Sequence, residues 1–130
     1  MEAFVDTSGL YALIDADDQA HQDAVQRWRA LVTRKFSLIT HAFVAVEAYA
    51  VVRRRLGISQ CRDLQAILRR IDIHVVEKNL YEEGVAALLA AESRRLSLVD
   101  CVSFAFMRQR QIHEALAFDR DFDAQGFRAR

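Results

Sequence analysis

The spacing of apolar and polar positions changes repeatedly along the chain, and the changes predict short strands that alternate with helices. Short, mostly apolar runs predict buried strands, and apolar residues three and four positions apart predict the helices that follow them. The predicted strands are residues 3–5, 36–39, 73–76 and 114–118. The predicted helices are residues 9–14, 21–32, 42–56 and 59–71, with two more that begin near Asn79 and Ser97. Thr40 is expected to cap the helix at 42–56, and Asn79 with Glu82 is expected to form a capping box.

This alternation predicts an α/β fold in which helices cover both faces of a parallel sheet of four to five strands. Crossover connections of constant hand bring the carboxyl ends of all the strands to one edge of the sheet. In such sheets the functional crevice lies outside that edge.

The composition is that of one helix-rich domain spanning residues 1–130. The chain has no proline and only four glycines, which argues against an all-β protein. Its two cysteines, Cys61 and Cys101, have neither zinc-ligand spacing nor the number needed for a disulfide framework. We therefore expect a cytoplasmic protein, and the sequence predicts neither an export signal nor a membrane segment.

The charges neither clearly predict nor exclude nucleic-acid binding. The net charge is zero, so no global field attracts a polyanion. Nearly all of the basic residues are arginine, as on a phosphate-binding surface, although GC-rich coding would produce the same bias. The triplet Arg53, Arg54 and Arg55 is interpreted as a solvated helix end that interacts favourably with the helix dipole.

Four acidic residues stand where they could meet at the carboxyl edge of the sheet. Asp6 and Asp119 follow the first and last predicted strands, and Asp100 opens a helix. Glu47 lies one or two turns into a helix that starts at the same edge. The sequence therefore predicts that four carboxylates from distant positions converge.

Two of these acids also have a purely structural explanation. Asp6 fits a helix N-cap, and Asp100 fits a capping box with Ser97. Glu47 lies too far inside its helix to be a cap. It shares a predicted face with apolar residues, so we expect a basic side chain or a cation to reach it.

Converging carboxylates repel one another, and a hard cation would relieve that repulsion. Mg²⁺ and Mn²⁺ favour oxygen ligands, and Mg²⁺ usually keeps several waters and binds substrate phosphate. A pair of such ions can promote phosphodiester cleavage. The sequence leaves open whether one ion or two would bind.

Several stretches together resemble the PIN domains, and in particular the VapC-type toxin ribonucleases of bacterial toxin-antitoxin pairs. The stretches are FVDTSGLYAL at 4–13, THAFVAVE at 40–47, LSLVD at 96–100, and AFDRDF at 117–122 with Gly126 and Phe127. The resemblance covers nearly the whole chain, and the order and spacing of the stretches make it fairly specific.

The resemblance implies that Asp6, Glu47, Asp100 and Asp119 are the site acids, with help from Thr7. Asp121 is an alternative for the fourth acid because it lies only two residues further on. The resemblance also implies a Rossmann-like sandwich, Mg²⁺ or Mn²⁺ as cofactor, and cleavage of structured RNA. A homodimer and inhibition by a small cognate antitoxin protein are further implications.

Two other classes of function are weighed against this hypothesis. A solitary or non-catalytic PIN-like protein would bind RNA or a partner without cutting, but it would not need all four acids. A phosphatase of the haloacid dehalogenase type would require Asp-x-Asp after the first strand. Here that position reads Asp6-Thr7-Ser8, which argues against the phosphatase.

Overall fold

The computed structural model describes residues 1–129, and these residues form an α/β fold. Its strands are β1 (Glu2–Val5), β2 (Ser37–His41), β3 (Asp72–His74), β4 (Glu114–Leu116) and β5 (Arg128–Ala129). Neighbouring strands all pair in parallel, in the spatial order β3-β2-β1-β4-β5. The predicted class, with a parallel sheet of four to five strands, is confirmed.

Helices occupy most of the remaining described residues. They are α1 (Thr7–Ile14), α2 (His21–Thr33), α3 (Ala42–Arg55), α4 (Ile58–Leu68), α5 (Lys78–Ala90), α6 (Leu98–Gln109) and α7 (Arg120–Ala124). Helix α1 packs against α2 and α3, α3 packs against α4, and α5 packs against α6.

Both faces of the central strand are buried. Ala3, Phe4 and Val5 have no solvent exposure, and successive side chains of a strand point to opposite faces of the sheet. The Phe4 ring lies 5.8 Å from the ring of Phe106 and 6.2 Å from that of Phe122. Helices therefore cover the sheet on both sides, as the mostly apolar strand sequences predict.

Helix α3 begins differently from the prediction. Thr40 was expected to cap it, but His41 is the N-cap residue, and its Nδ1 accepts a hydrogen bond from Val44 N at 3.4 Å. Thr40 belongs to β2, and its hydroxyl donates to the carbonyl oxygen of Val5 at 2.8 Å. Strand β2 thus ends two residues beyond the predicted end, and the threonine hydroxyl bonds to the neighbouring strand instead of capping the helix.

Two other predicted helix starts are also wrong in detail. Helix α4 begins at Ile58 behind Gly57, whose φ of 101° is accessible to glycine, and no side chain caps it. Helix α5 begins at Lys78 without a side-chain cap. Asn79 therefore forms no capping box with Glu82. Its side chain instead accepts a hydrogen bond from the adjacent Leu80 N.

The later strands and the last helix also differ from the predictions. Strand β3 ends at His74 rather than at residue 76, and Val75 is 78% exposed. Strand β4 ends at Leu116, two residues before the predicted end. Helix α7 and strand β5 were not predicted individually, because elements of five and two residues contain too few apolar positions to define a period.

Gly9 allows helix α1 to approach the end of β4 closely. A Cβ atom at this position would lie 2.3 Å from the carbonyl oxygen of Leu116. Only glycine fits such a backbone contact without a shift. The contact holds the first turn of α1, which follows Asp6, against the strand that leads to Asp119.

Among residues 1–129, no helix combines the length and the apolar character that crossing a membrane requires.

Candidate active site

A cavity of about 380 Å³ opens at the carboxyl ends of β1 and β4. All four predicted acids line it, although they come from four separate parts of the chain. A fifth acid, which the sequence argument did not assign to the site, also lines it. The acidic lining residues are Asp6, Asp18, Glu47, Asp100 and Asp119.

Asp6 is both a helix cap and a member of this site. It is only 4% exposed, and its Oδ2 accepts hydrogen bonds from Ser8 N at 3.1 Å and from Ser8 Oγ at 2.7 Å. Ser8 Oγ in turn accepts a hydrogen bond from Phe118 N at 2.9 Å. One serine therefore fixes the orientation of Asp6 and ties it to the loop that carries Asp119.

Burial disfavours the charged form of Asp6. Desolvation raises its pKa to about 6, the hydrogen bonds from Ser8 oppose that rise, and the negative charge of Asp100 adds to it. A carboxyl group with such a pKa gains from a nearby cation, because the cation restores the charged form.

Asp100 has the predicted capping role and also faces the other acids. Its carboxylate accepts a hydrogen bond from Ser97 N at 3.0 Å, and its own N–H donates to Ser97 Oγ at 3.1 Å. Burial raises the pKa of Asp100, and the charges of Asp119 and Glu47 raise it further. The capping box is thus confirmed, and the same side chain lies in a field of like charge.

Glu47 is half-buried and lines the cavity together with Val51 and Arg55. These residues lie four positions apart, so one face of α3 forms a wall of the site. The prediction that a basic side chain or a cation must neutralise a buried Glu47 is weakened, since part of the carboxylate is solvated. Within residues 1–129 it has no salt-bridge partner.

The structure distinguishes the two candidates for the fourth acid. Asp119 lines the cavity and caps α7 by accepting a hydrogen bond from Asp121 N at 3.0 Å. Asp121 is 8% exposed, lies outside the cavity lining, and forms an ion pair with Arg95 at 3.1 Å. Its position therefore favours a structural role for Asp121 and leaves Asp119 facing the cavity.

The side-chain oxygens that line the cavity suit a cation that keeps part of its water shell better than a cation bound entirely by protein ligands. Across residues 1–129, no three His, Cys, Asp or Glu side chains are grouped closely enough to hold a metal ion. Mg²⁺, however, is usually bound through one or two carboxylates, with water and substrate phosphate completing its shell. Thr7 also lines the cavity, and its buried hydroxyl has no hydrogen-bond partner in the described part of the chain.

A buried histidine connects the two helices that carry Glu47 and Asp100. His41 caps α3, and its Nε2 lies 2.8 Å from Ser103 Oγ on α6. Because Nδ1 accepts the cap hydrogen bond, Nε2 carries the proton and donates to the serine. Burial lowers the pKa of His41 to about 4, so the ring is neutral. No motif in the sequence indicated this link.

The fold and the site identify the class of protein. The family model described as the PIN domain matches residues 3–128. The chain belongs to the PIN domain family.

Individual proteins are similar to this chain over nearly its whole length. The chain is 35% identical over 126 residues to the 23S rRNA-specific endonuclease VapC20 of two Mycobacterium tuberculosis strains, covering 95% of this chain and 94% of that protein. The crystal structure of Mycobacterium tuberculosis VapC20, a sarcin-ricin loop cleaving toxin, matches with a TM-score of 0.85 at 33% identity. That match covers 97% of this chain and 96% of the other.

A second solved structure shares the fold at lower similarity. The protein PAE2754 of Pyrobaculum aerophilum matches with a TM-score of 0.64 at 23% identity, covering 100% of this chain and 88% of that chain. This comparison supports the fold alone.

Proposed function

We propose that this chain is an endoribonuclease that depends on Mg²⁺ or Mn²⁺ and acts as the toxin of a type II toxin-antitoxin pair. Membership of the PIN domain family and the similarity to a 23S rRNA-specific endonuclease support ribonuclease activity. The same relative supports ribosomal RNA as the substrate class.

The convergence of four carboxylates carries the proposal. Asp6, Glu47, Asp100 and Asp119 belong to different elements, yet they line one cavity. Burial raises the pKa of Asp6 and of Asp100, and neighbouring acids raise both further. No described basic residue forms a salt bridge with any of the four acids. A cluster of this kind opposes folding unless binding a cation recovers the cost.

The four carboxylates are the groups that would hold the cation. When bound, Mg²⁺ or Mn²⁺ supplies Lewis-acid stabilisation of the charge that develops on a phosphodiester. The chain supplies the preorganisation. Ser8 fixes Asp6, Ser97 fixes Asp100, and the N–H of Asp121 fixes Asp119, so these carboxylates need little reordering when the substrate binds.

The experiment that tests the proposal is expression in a bacterial host. The wild-type chain should arrest growth, and 23S rRNA from the arrested cells should carry a new 5′ end by primer extension. The Asp6→Asn variant, expressed at the same level, should do neither. Equal harmlessness of the two chains at matched soluble levels would contradict the toxin assignment and favour a non-catalytic PIN-like role.

We further propose that a small antitoxin protein controls the activity. A basic side chain placed among the four acids would form charge-assisted hydrogen bonds with poorly solvated carboxylates and would exclude both metal and RNA. Co-expression with a small protein encoded beside this gene should then restore growth. The homodimer stays a prediction, and sedimentation of the purified chain would test it.

A further inference from the structure

One basic side chain lies in the wall of the candidate active site. Arg55 is the basic member of the described cavity lining, which it shares with the acids and with Tyr11. It follows Glu47 by eight positions on the same face of α3, a separation of roughly 12 Å along the helix axis. The sequence had indicated only a solvated helix end at this triplet of arginines.

The arginines near the site differ in whether they form ion pairs with other side chains. Arg27 forms an ion pair with Asp23 at 2.9 Å, and Arg95 pairs with Asp121 at 3.1 Å. Both side chains have a structural partner. Arg55 is exposed, and within residues 1–129 it forms no ion pair. Its hydrogen-bond donors can therefore bind a ligand without breaking a salt bridge.

Tyr11 holds the Arg55 guanidinium near the cavity. The central carbon of the guanidinium lies 5.4 Å from the centre of the Tyr11 ring, within cation–π range. The Tyr11 hydroxyl donates a hydrogen bond to Asp15 at 2.8 Å, which fixes the ring. A planar cation that rests on an anchored ring is preorganised, so it loses less freedom when it binds phosphate.

We propose that Arg55, supported by Tyr11, binds a backbone phosphate of the RNA other than the one that is cleaved. The inference rests on the proposed ribonuclease function. Arg55 lies roughly 12 Å beyond Glu47 along the helix axis, and this offset favours a phosphate that neighbours the one at the four acids. Guanidinium is the side-chain group best suited to bidentate phosphate binding. Arg55 is therefore a substrate-positioning residue.

The test compares three variants by steady-state cleavage of an RNA oligonucleotide that contains the sarcin-ricin loop. Arg55→Gln should raise KM about tenfold, as expected for one lost charge-assisted contact. It should also make the slope of log KM against log salt shallower by roughly 0.7. Arg55→Lys should give an intermediate KM, because it keeps the charge but not the bidentate geometry.

Arg54→Gln is the matched control. Arg54 is its exposed neighbour on the same helix and lies outside the cavity lining, so this variant makes the same charge change without removing the contact. It should leave both KM and the salt slope close to wild type. Equal effects of Arg54→Gln and Arg55→Gln would overturn the proposal, since they would show a general electrostatic effect.

A second measurement identifies the phosphate. In a series of oligonucleotides, each has one phosphate replaced by a neutral methylphosphonate. At one position the replacement should raise the KM of wild type but should not raise the KM of Arg55→Gln any further. Independent losses at every position would contradict the assignment.

Binding of the same RNA in EDTA, followed by fluorescence anisotropy, separates this inference from the ribonuclease proposal. If wild type does not cleave but Arg55→Gln still binds more weakly than Arg54→Gln, the phosphate contact stands and the ribonuclease proposal fails. If Arg55→Gln leaves RNA affinity unchanged and weakens only the antitoxin complex, Arg55 serves the protein partner and the inference fails.

Discussion

Asp6 and His41 are both buried, and folding shifts their pKa values in directions that have opposite effects on stability. The raised pKa of Asp6, about 6, means that the folded protein binds this proton more tightly than the unfolded chain does. Stability from Asp6 therefore falls as pH rises towards 6. The lowered pKa of His41, about 4, has the reverse effect, so stability falls as pH drops below the unfolded value of 6.5.

These two contributions should largely cancel in the metal-free wild-type protein between pH 7 and pH 5. The Asp6→Asn variant lacks the pH-dependent contribution of Asp6 and keeps that of His41. In urea unfolding with EDTA, we expect the variant to lose about 1–2 kcal/mol more stability than wild type on going from pH 7 to pH 5. Asp17→Asn, which removes an exposed charge, serves as the control. Parallel stability profiles for wild type and Asp6→Asn would contradict the buried, proton-binding state of Asp6.

At the scale of elements, the contact between α1 and β4 places Asp6 beside Asp119. Gly9→Ala puts a methyl group against the carbonyl oxygen of Leu116, where backbone on both sides resists movement. We expect a loss of about 1–3 kcal/mol in the free energy of unfolding. Inside an ordinary helix, a change from glycine to alanine raises the free energy of unfolding by roughly 1 kcal/mol. A decrease at Gly9 would therefore by itself indicate the close contact with β4. A stability equal to or above that of wild type would show that the contact does not constrain the fold.

Features that depend on neighbouring residues could be predicted from the sequence. The capping box of Ser97 and Asp100 is confirmed because both partners lie within one turn. The strand-helix alternation was likewise visible in apolar spacing. Capping at Thr40 and Asn79 failed for a physical reason: a hydroxyl can bond to an adjacent strand, and an amide can bond to the next backbone N–H, instead of capping a helix.

The topology predicted which acids line the cavity, but individual side-chain contacts between distant residues could not be predicted. His41 and Ser103 are 62 positions apart, and Arg95 reaches Asp121 across 26. Neither pair has a local pattern. The sequence therefore left Asp121 as an alternative to Asp119, and the two are separated by the tertiary ion pair of Asp121 and by the position of Asp119 in the cavity lining. Arg53, Arg54 and Arg55 are exposed in the last turn of α3, as predicted, but the contact of Arg55 with Tyr11 could not be predicted, because it exists only after α1 and α3 pack together.

At the scale of the whole molecule, zero net charge must be reconciled with a polyanionic substrate. Long-range attraction contributes little, so the proposed function requires RNA affinity to come from local contacts and from a bound cation. The parallel sheet brings acids from both ends of the chain to one edge, where such a cation would bind. The assignment of these acids as metal ligands stays a prediction until activity is measured.

Cleavage of a purified sarcin-ricin loop RNA by the purified chain tests the central claim most directly. We expect cleavage with Mg²⁺ or Mn²⁺ and none in EDTA. Asp6→Asn, Glu47→Gln and Asp100→Asn should each lower kcat/KM at least about 100-fold, since each removes part of the group that holds the cation. Asp17→Asn should cleave like wild type. Undiminished cleavage in EDTA, or in any of the three site variants, would contradict the account.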